Sequence, residues 1–400
     1  MSKLAILGGN KIRKKPMPKR NAFGSNEKKR LLETINYYYS KKEDPPYNGV
    51  YEKKLCQKFS KFMGGGFTLA VSSGTASLYI AIQSLELKKG SEVIVSPFFD
   101  AGPLSALIFM GLKPVIVDAK KNSLNTDLEQ IKKKITKKTS AIILVHTAGD
   151  PLEIKKIIKF TNKKKIKVIE DCSQSPGAKF EKKLLGTFGD ICCISTMFSK
   201  SLSMSGSGGL IFTNKKKYIK KIIGYTDRGK PSWKKSANRR DPSQYIFPAL
   251  NWNINEFSCS VGLASLSRLN KTIRDRLIAI KKIKSKLQSL SLTCKGYEIS
   301  KESSPYYYPI WVDIKKIKCS KIKFAQALIK EGINLNPDYK FLCQDWKWAK
   351  KYLKHKIWTP NAKKTRDSTF NLYINENFKN REIKDVVSAI LKVEKFYLKK

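Results

Sequence analysis

From about residue 68 the apolar positions alternate between two kinds of run. Short stretches rich in β-branched residues read as strands: FTLAVSS, EVIVSP, KPVIVDA, SAIILVH, KVIEDC, ICCIST and GGLIFTN. Between them lie segments with apolar residues three and four apart, which read as helices: GTASLYIAIQSL, LSALIFMG, DLEQIKKKI and PLEIKKIIKFTNKK. Alternation at this spacing predicts β-α-β crossovers, hence an α/β fold with a mostly parallel sheet between two helical layers. Sheets of this kind take ligands outside the carboxyl ends of their strands.

The rhythm changes near residue 250. NEFSCSVGLASLSRLNKTIRDRLIAIKKIKSKLQSL keeps a helical period over many turns. A strand, YYYPIWVDI, follows, then the helix KIKFAQALIKEG, an irregular aromatic stretch (NPDYKFLCQDWKWAKKYL) and a last helix, REIKDVVSAILKVEKFYL. This predicts a larger domain over 1–250, with segment 1–45 packing on it, and a smaller α+β domain over 251–400. No internal repeat or low-complexity linker interrupts the chain.

Composition changes this picture in one respect. With 80 Lys+Arg against 32 Asp+Glu the formal charge is +48, which raises nucleic acid or another polyanion as a partner. The cations are nearly all lysines, spread from end to end (KKIKSKL, KKYLKHK, TNKKKIK), and arginines suited to bidentate base contacts are few. We therefore expect solvated lysine faces and no dedicated nucleic-acid site. The eight cysteines show no C-x-x-C spacing, and there are only two histidines, so no metal site is expected. The apolar stretch in MSKLAILGGNKIRKK is too short for a signal peptide, and no apolar run reaches 18 residues; a cytoplasmic protein without membrane insertion is expected.

Four segments at or near predicted strand ends carry candidate chemistry. Ser72-Ser73-Gly74-Thr75-Ala76 joins a strand to a helix; its small residues suit either a phosphate cradle or a plain N-cap. Asp171, with Gln174 after it, suits a partner for a protonated ring nitrogen or a helix cap. Lys200 follows Ser195 by five residues and precedes glycines 206, 208 and 209; a lysine held in a dry pocket can condense with a carbonyl. Asn251 to Glu256 precede the long helix as capping residues would. GxGxxG and GxxxxGK[ST] are both absent, which excludes those nucleotide fingerprints. Taken together, a phosphate cradle, an Asp for a pyridinium and a Lys for an aldehyde describe a site for pyridoxal 5'-phosphate.

In these segments, and in YNGVYEKKLCQKF, ITKKTSAIILVHTAGDP and LNWNINEF, the chain resembles the DegT/StrS-type sugar aminotransferases, a pyridoxal-phosphate family of fold type I. The resemblance runs over nearly the whole length. It implies an aspartate-aminotransferase-like fold and transfer of an amino group from an amino acid, by family habit glutamate, to a nucleotide-linked keto-sugar in surface-glycan or related biosynthesis. By resemblance Lys200 would join the cofactor aldehyde and Asp171 would pair with the pyridine nitrogen. Gln174 would lie near the ring, and Gly74, Thr75 and Ser195 would bind the phosphate. Asn251 would reach the cofactor of the second subunit of a homodimer.

Three positions depart from the family pattern. Asp100 falls where an aromatic stacks on the ring, with Phe99 one place away; Ser207 replaces a Glu; Asn253 replaces a basic residue. His146 reads as structural. The related dehydratases carry His in place of the lysine, so Lys200 argues against dehydration. A cofactor-binding regulator without turnover and a polyanion binder are the readings from other classes. The aromatic stretch from Asn334 to Trp348 is the candidate wall of the substrate pocket.

Overall fold

A computed structural model describes residues 3–21, 23–234, 236–238, 240–353 and 357–399. Two helices, α1 (Ser25–Lys41) and α2 (Val50–Phe62), precede the alternating region. There follow β1 (Phe67–Val71), α3 (Gly74–Ser84), β2 (Glu92–Val95), α4 (Ala101–Phe109) and β3 (Lys113–Ile116). Next come α5 (Leu128–Lys132), β4 (Thr139–Val145), α6 (Ile154–Lys163) and β5 (Lys167–Asp171). A small hairpin, β6 (Lys179–Phe180) and β7 (Lys183–Leu184), leads to β8 (Ile191–Ser195), β9 (Gly209–Thr213) and α7 (Lys216–Thr226). The second part holds α8 (Glu256–Leu290), β10 (Cys294–Gly296), β11 (Tyr308–Val312), α9 (Lys321–Lys330) and β12 (Leu335–Asn336), then α10 (Pro360–Asp367), β13 (Thr369–Leu372) and α11 (Asn380–Tyr397).

The central sheet has seven strands in the order β1-β9-β8-β5-β4-β2-β3. All its pairs are parallel except those of β9, which runs against both β8 and β1. Its strands are buried on both faces, as their unbroken apolar runs require. Ile143, Ile169, Cys193 and Ile211 face a core shared with α3, α4 and α7. Ile142, Val168, Cys192 and Phe212 face the opposite core, with α2, α6 and the first half of α8. The adjacent Cys192 and Cys193 thus fill two different cores as small apolar residues. This is the expected three-layer arrangement. Among the described residues no helix is long and apolar enough to cross a membrane.

A third core forms around a four-stranded antiparallel sheet, β10-β11-β13-β12, under α9, α11 and the second half of α8. The change of core falls along α8, between Leu269 and Ala279, rather than at residue 250. The opening segment also differs from expectation. Leu4 is buried in this third core, and the Ala5 and Ile12 amides donate to the Glu331 carboxylate at 2.8 and 3.0 Å. Arg13 pairs with Asp385 at 2.6 Å and Glu382 at 3.1 Å. Residues 3–19 therefore pack on the smaller unit, while Arg20 and Asn21 also bond to Phe198 and Arg268 of the larger one and α1 packs on the larger core. The contacts with Glu331, Glu382 and Asp385 join residues more than 300 apart and leave no local sequence signal.

α8 is also fixed at its start. The buried Glu256 carboxylate accepts from the Tyr51 and Glu52 amides, at 2.8 and 2.7 Å, and from the Tyr38 hydroxyl at 2.6 Å. It caps α2 from another helix, satisfying amides that have no intrahelical acceptor. Gly49 leaves room for it: a Cβ there would stand 2.4 Å from the Glu256 carboxyl carbon. Glu256→Ala and Gly49→Ala are each expected to lower the urea-unfolding free energy by about 2–3 kcal/mol. A loss under about 0.5 kcal/mol in either would refute this role for the cap.

Candidate functional site

The parallel strands all point their carboxyl ends at one edge of the sheet, and that is where the chemistry collects. Ser72 to Thr75 follow β1, Phe99 and Asp100 follow β2, Asp171 ends β5 and Ser195 ends β8. A cavity of about 250 Å³ opens there. Gly74, Thr75, Phe99, Asp171, Gln174, Ser195 and Lys200 all line it. A cleft of about 760 Å³ between Lys120–Ser123 and Lys295–Glu298 is larger but contains none of these residues, so volume alone does not pick the site.

One wall is the start of α3. Ser73 is its N-cap, its hydroxyl accepting from the Ala76 amide at 3.0 Å. The two readings of this segment are therefore compatible. Ser73 takes the capping role, while the Gly74 and Thr75 amides, first in the helix, keep no intrahelical acceptor and face the cavity end. Close packing demands the glycines: a Cβ on Gly74 would lie 2.5 Å from Ser195 Cβ, and one on Gly209 would lie 2.3 Å from the Ser73 carbonyl oxygen.

The floor is Asp171. Its Oδ1 accepts from the Ser173 amide at 2.9 Å, and Ser173 Oγ in turn accepts from the Ser195 amide at 2.9 Å. Burial pushes the Asp171 carboxyl above the usual carboxylate range; Ser173, Lys200 and His146 act against that shift without cancelling it. His146 is wholly buried. Its Nδ1 accepts from the Leu152 amide at 3.3 Å, which leaves the proton on Nε2, 3.5 Å from Glu170 Oε2. Glu170 accepts from the amides of Gly186, Phe188 and Gly189 at 2.8, 2.8 and 2.6 Å. His146, Glu170 and Cys172 bring potential ligand atoms within 4.8 Å of one another, but the carboxylate is already committed to backbone, and the arrangement serves packing.

Lys200 sits in a turn between β8 and β9, 9% exposed, with its Nζ 4.4 Å above the centroid of the Tyr306 ring. Phe99 lines the cavity edge-on to Trp346, the ring centroids 5.3 Å apart at 72°. Asp100 caps α4 through the Gly102 amide at 3.2 Å and keeps its carboxylate at the cavity mouth. Gln174 lines the cavity with its amide held from behind, accepting from the Ala148 amide at 2.8 Å and meeting the Tyr339 hydroxyl at 3.2 Å. The aromatic stretch thus backs the cavity: Tyr339 holds Gln174, and the Phe341 carbonyl accepts from the Phe99 amide at 3.1 Å.

Asn251 is the candidate that does not join the rest. It is exposed, and its side-chain oxygen accepts from the Asn253 amide at 3.1 Å. It stands beside the cradle, since the Trp252 carbonyl accepts from the Ser72 amide at 2.8 Å. Ser173 and Tyr306 are site residues that sequence reasoning missed. The Asp171-x-Ser173 spacing is a recognisable side-chain turn, whereas Tyr306 enters from a hundred residues away with no local sign.

The profile of the DegT/DnrJ/EryC1/StrS aminotransferase family matches residues 36–391. The chain belongs to this family. Its sequence is 28% identical to the GDP-perosamine synthase of Escherichia coli O157:H7 over 264 residues, 66% of this chain and 69% of that protein. Its fold superposes on Helicobacter pylori PseC, an aminotransferase involved in the biosynthesis of pseudoaminic acid, with a TM-score of 0.86 at 20% identity, covering 96% of this chain and 100% of the other. An E. coli GDP-4-keto-6-deoxy-D-mannose-3-dehydratase, determined with bound hydrated PLP, matches with a TM-score of 0.84 at 22% identity over 94% and 98% of the chains. The same fold is thus found in an aminotransferase and in a dehydratase.

The shift at Asp171 makes a prediction about stability. A carboxyl whose folded pKa is raised holds its proton more tightly folded than unfolded, so its ionisation costs stability as pH rises from about 4 through the raised value. In cofactor-free protein, Asp171→Asn should gain unfolding free energy relative to wild type, and the gain should be larger at pH 7 than at pH 4. An equal difference at both pH values, read from denaturant titrations, contradicts the buried charge.

Proposed function

We propose that this protein is a pyridoxal-phosphate-dependent aminotransferase that moves an amino group from an amino acid, by family habit glutamate, to a keto-sugar carried on a nucleoside diphosphate. The observation that carries this reading is the meeting of Lys200, Asp171 and the α3 cradle in one cavity of a DegT-family chain. The residues fit the cofactor chemically. The first amides of α3 and the Ser195 hydroxyl offer donors for a phosphate, and Asp171 is a buried carboxylate that a cationic ring nitrogen would relieve.

Bound there, pyridoxal phosphate supplies an aldehyde and a ring that accepts the electrons freed when the substrate carbon loses its proton. Asp171 keeps a proton on the ring nitrogen. Lys200 Nζ would hold the aldehyde at rest and yield it to the incoming amine; once it had given up the extra proton it leaves with, it would be the base in the cavity able to move the substrate proton. Gly74, Thr75 and Ser195 bind the phosphate and fix the register of the ring. Phe99 and Gln174, which line the cavity, would border the ring, and the stretch from Asn334 to Trp348 would contribute the substrate wall.

We place a second subunit against Asn251. Exposed apolar residues surround that position along the chain and across from it, Leu250 and Phe257 on either side and Tyr47 within 3.5 Å of its amide. The eight cysteines are all unpaired, which suits the cytoplasm. Lys200 itself, where the dehydratases carry His, favours transfer over dehydration. A cofactor-bound regulator without turnover draws support from Asp100 in the ring-stacking position and Ser207 in place of a Glu.

Incubating the purified yellow protein with glutamate should convert the cofactor to its amino form, with a change in absorption; no change favours the regulator. Asp171→Asn should fold and keep the cofactor yet turn over at least 100-fold more slowly, because the ring loses its fixed proton; near-normal rates rule out that role. Gly74→Ala should weaken cofactor affinity at least tenfold through the Ser195 clash.

A further inference from the structure

The segment Phe198–Ser201 is held from three sides around Lys200. The Arg20 guanidinium donates to the Phe198 carbonyl. Ser199 Oγ and the Tyr306 hydroxyl are hydrogen-bonded at 2.9 Å. Arg276 Nη1 donates to Ser201 Oγ at 2.8 Å and to the Pro305 carbonyl at 2.9 Å. Arg276 therefore joins the residue after Lys200 to the residue before Tyr306. It is 2% exposed, and its Nε and Nη2 both donate to Glu376 Oε2, at 3.0 and 2.9 Å. A buried guanidinium fixed by a carboxylate is a stiff cross-link, because every donor it leaves unmatched is costly. Beside the two tied residues, Lys200 Nζ lies over the Tyr306 ring, 4.4 Å from its centroid. An ammonium over an aromatic face within about 6 Å is attracted by the ring quadrupole.

We propose that Tyr306 is a further catalytic residue whose ring face receives the ammonium of Lys200 each time the lysine is released, and that Arg276, through Ser201 and Pro305, is the positioning residue for that pair. The proposal rests on the reading that Lys200 carries the aldehyde. In that exchange the incoming ammonium would first pass a proton to Nζ in its bond to the aldehyde carbon; the freed amine nitrogen would then form its own bond to that carbon, and Nζ would leave as its other two hydrogens follow. The three hydrogens and the positive charge of the incoming amine end on Nζ, so charge and atoms balance. The face of Tyr306 stabilises that product side, so the ring, not the hydroxyl, is the working part.

The test uses holoenzyme and 2-methylglutamate, an amino acid with no α-hydrogen, which can displace the lysine but cannot react on. The concentration that half-displaces it is read from the cofactor absorption, without turnover. Tyr306→Phe should lie within about twofold of wild type, whereas Tyr306→Leu should need roughly tenfold more. Tyr306→Met runs beside Tyr306→Leu, so that the outcome does not hang on the folding of one variant. Ser201→Ala, which leaves the Arg276–Glu376 pair intact, should shift the midpoint about threefold in wild type and not at all in the Tyr306→Leu background. An unchanged Tyr306→Leu, or a Tyr306→Phe as impaired as Tyr306→Leu, overturns the role of the ring. Additive effects of Ser201→Ala and Tyr306→Leu overturn the positioning role. A wild type that responds normally while these variants fail the pattern leaves the aminotransferase reading standing. A wild type whose cofactor never meets Lys200 removes both.

Discussion

A carboxylate taken out of water is the constraint around which this molecule is arranged. Asp171 ends the central strand β5, under the cavity, where burial opposes its charge. Such a group is expensive unless a cation is brought to it. The sheet supplies the geometry for that meeting. Parallel pairing of β5 with β8 puts Ser195 at the same edge, and the turn after β8 brings Lys200 round to the same cavity. The α3 cradle arrives from the far side because β9 inserts antiparallel between β8 and β1. Fold and chemistry are thus linked through strand order, which sets the start of α3 against Ser195 at the end of β8.

The rest of the chain works to keep that edge stiff. Arg13, Arg276 and Arg366 make buried ion pairs, while many lysines pair at the surface. Arg276 is the clearest case, since it ties α8, the Lys200 turn and the approach to β11 into one unit. Surface lysine pairs contribute little to stability and are screened by salt. The total of +48 therefore describes the solvent face of the protein rather than its site.

Much of this was legible in the residues. The strands and helices from β1 to β9, apart from the two-residue strands β6 and β7, follow from β-branched runs and from periods of three and four, because each must bury a full face or a stripe. The cradle, Asp171 and Lys200 were visible as small, acidic and basic residues at strand ends. What stayed hidden has a common physical cause. The short strands β10, β12 and β13 are specified by pairing with distant partners rather than by their own patterns. Residues 3–19 pack on the smaller unit through Glu331 and Asp385, far along the chain. Tyr306, Ser173 and Arg276 take their meaning only from what they face. Asn251, which the resemblance assigns to the second subunit's cofactor, is exposed and bonded to Asn253 within the single chain.

The account stands on the bond between Lys200 Nζ and the cofactor aldehyde. Its most direct measurement is borohydride reduction of the native holoprotein, followed by proteolysis and peptide mass analysis. The account predicts the reduced pyridoxyl group on the peptide containing Lys200, at close to one per chain. The same mass on another lysine, or no reducible bond at all, would contradict it.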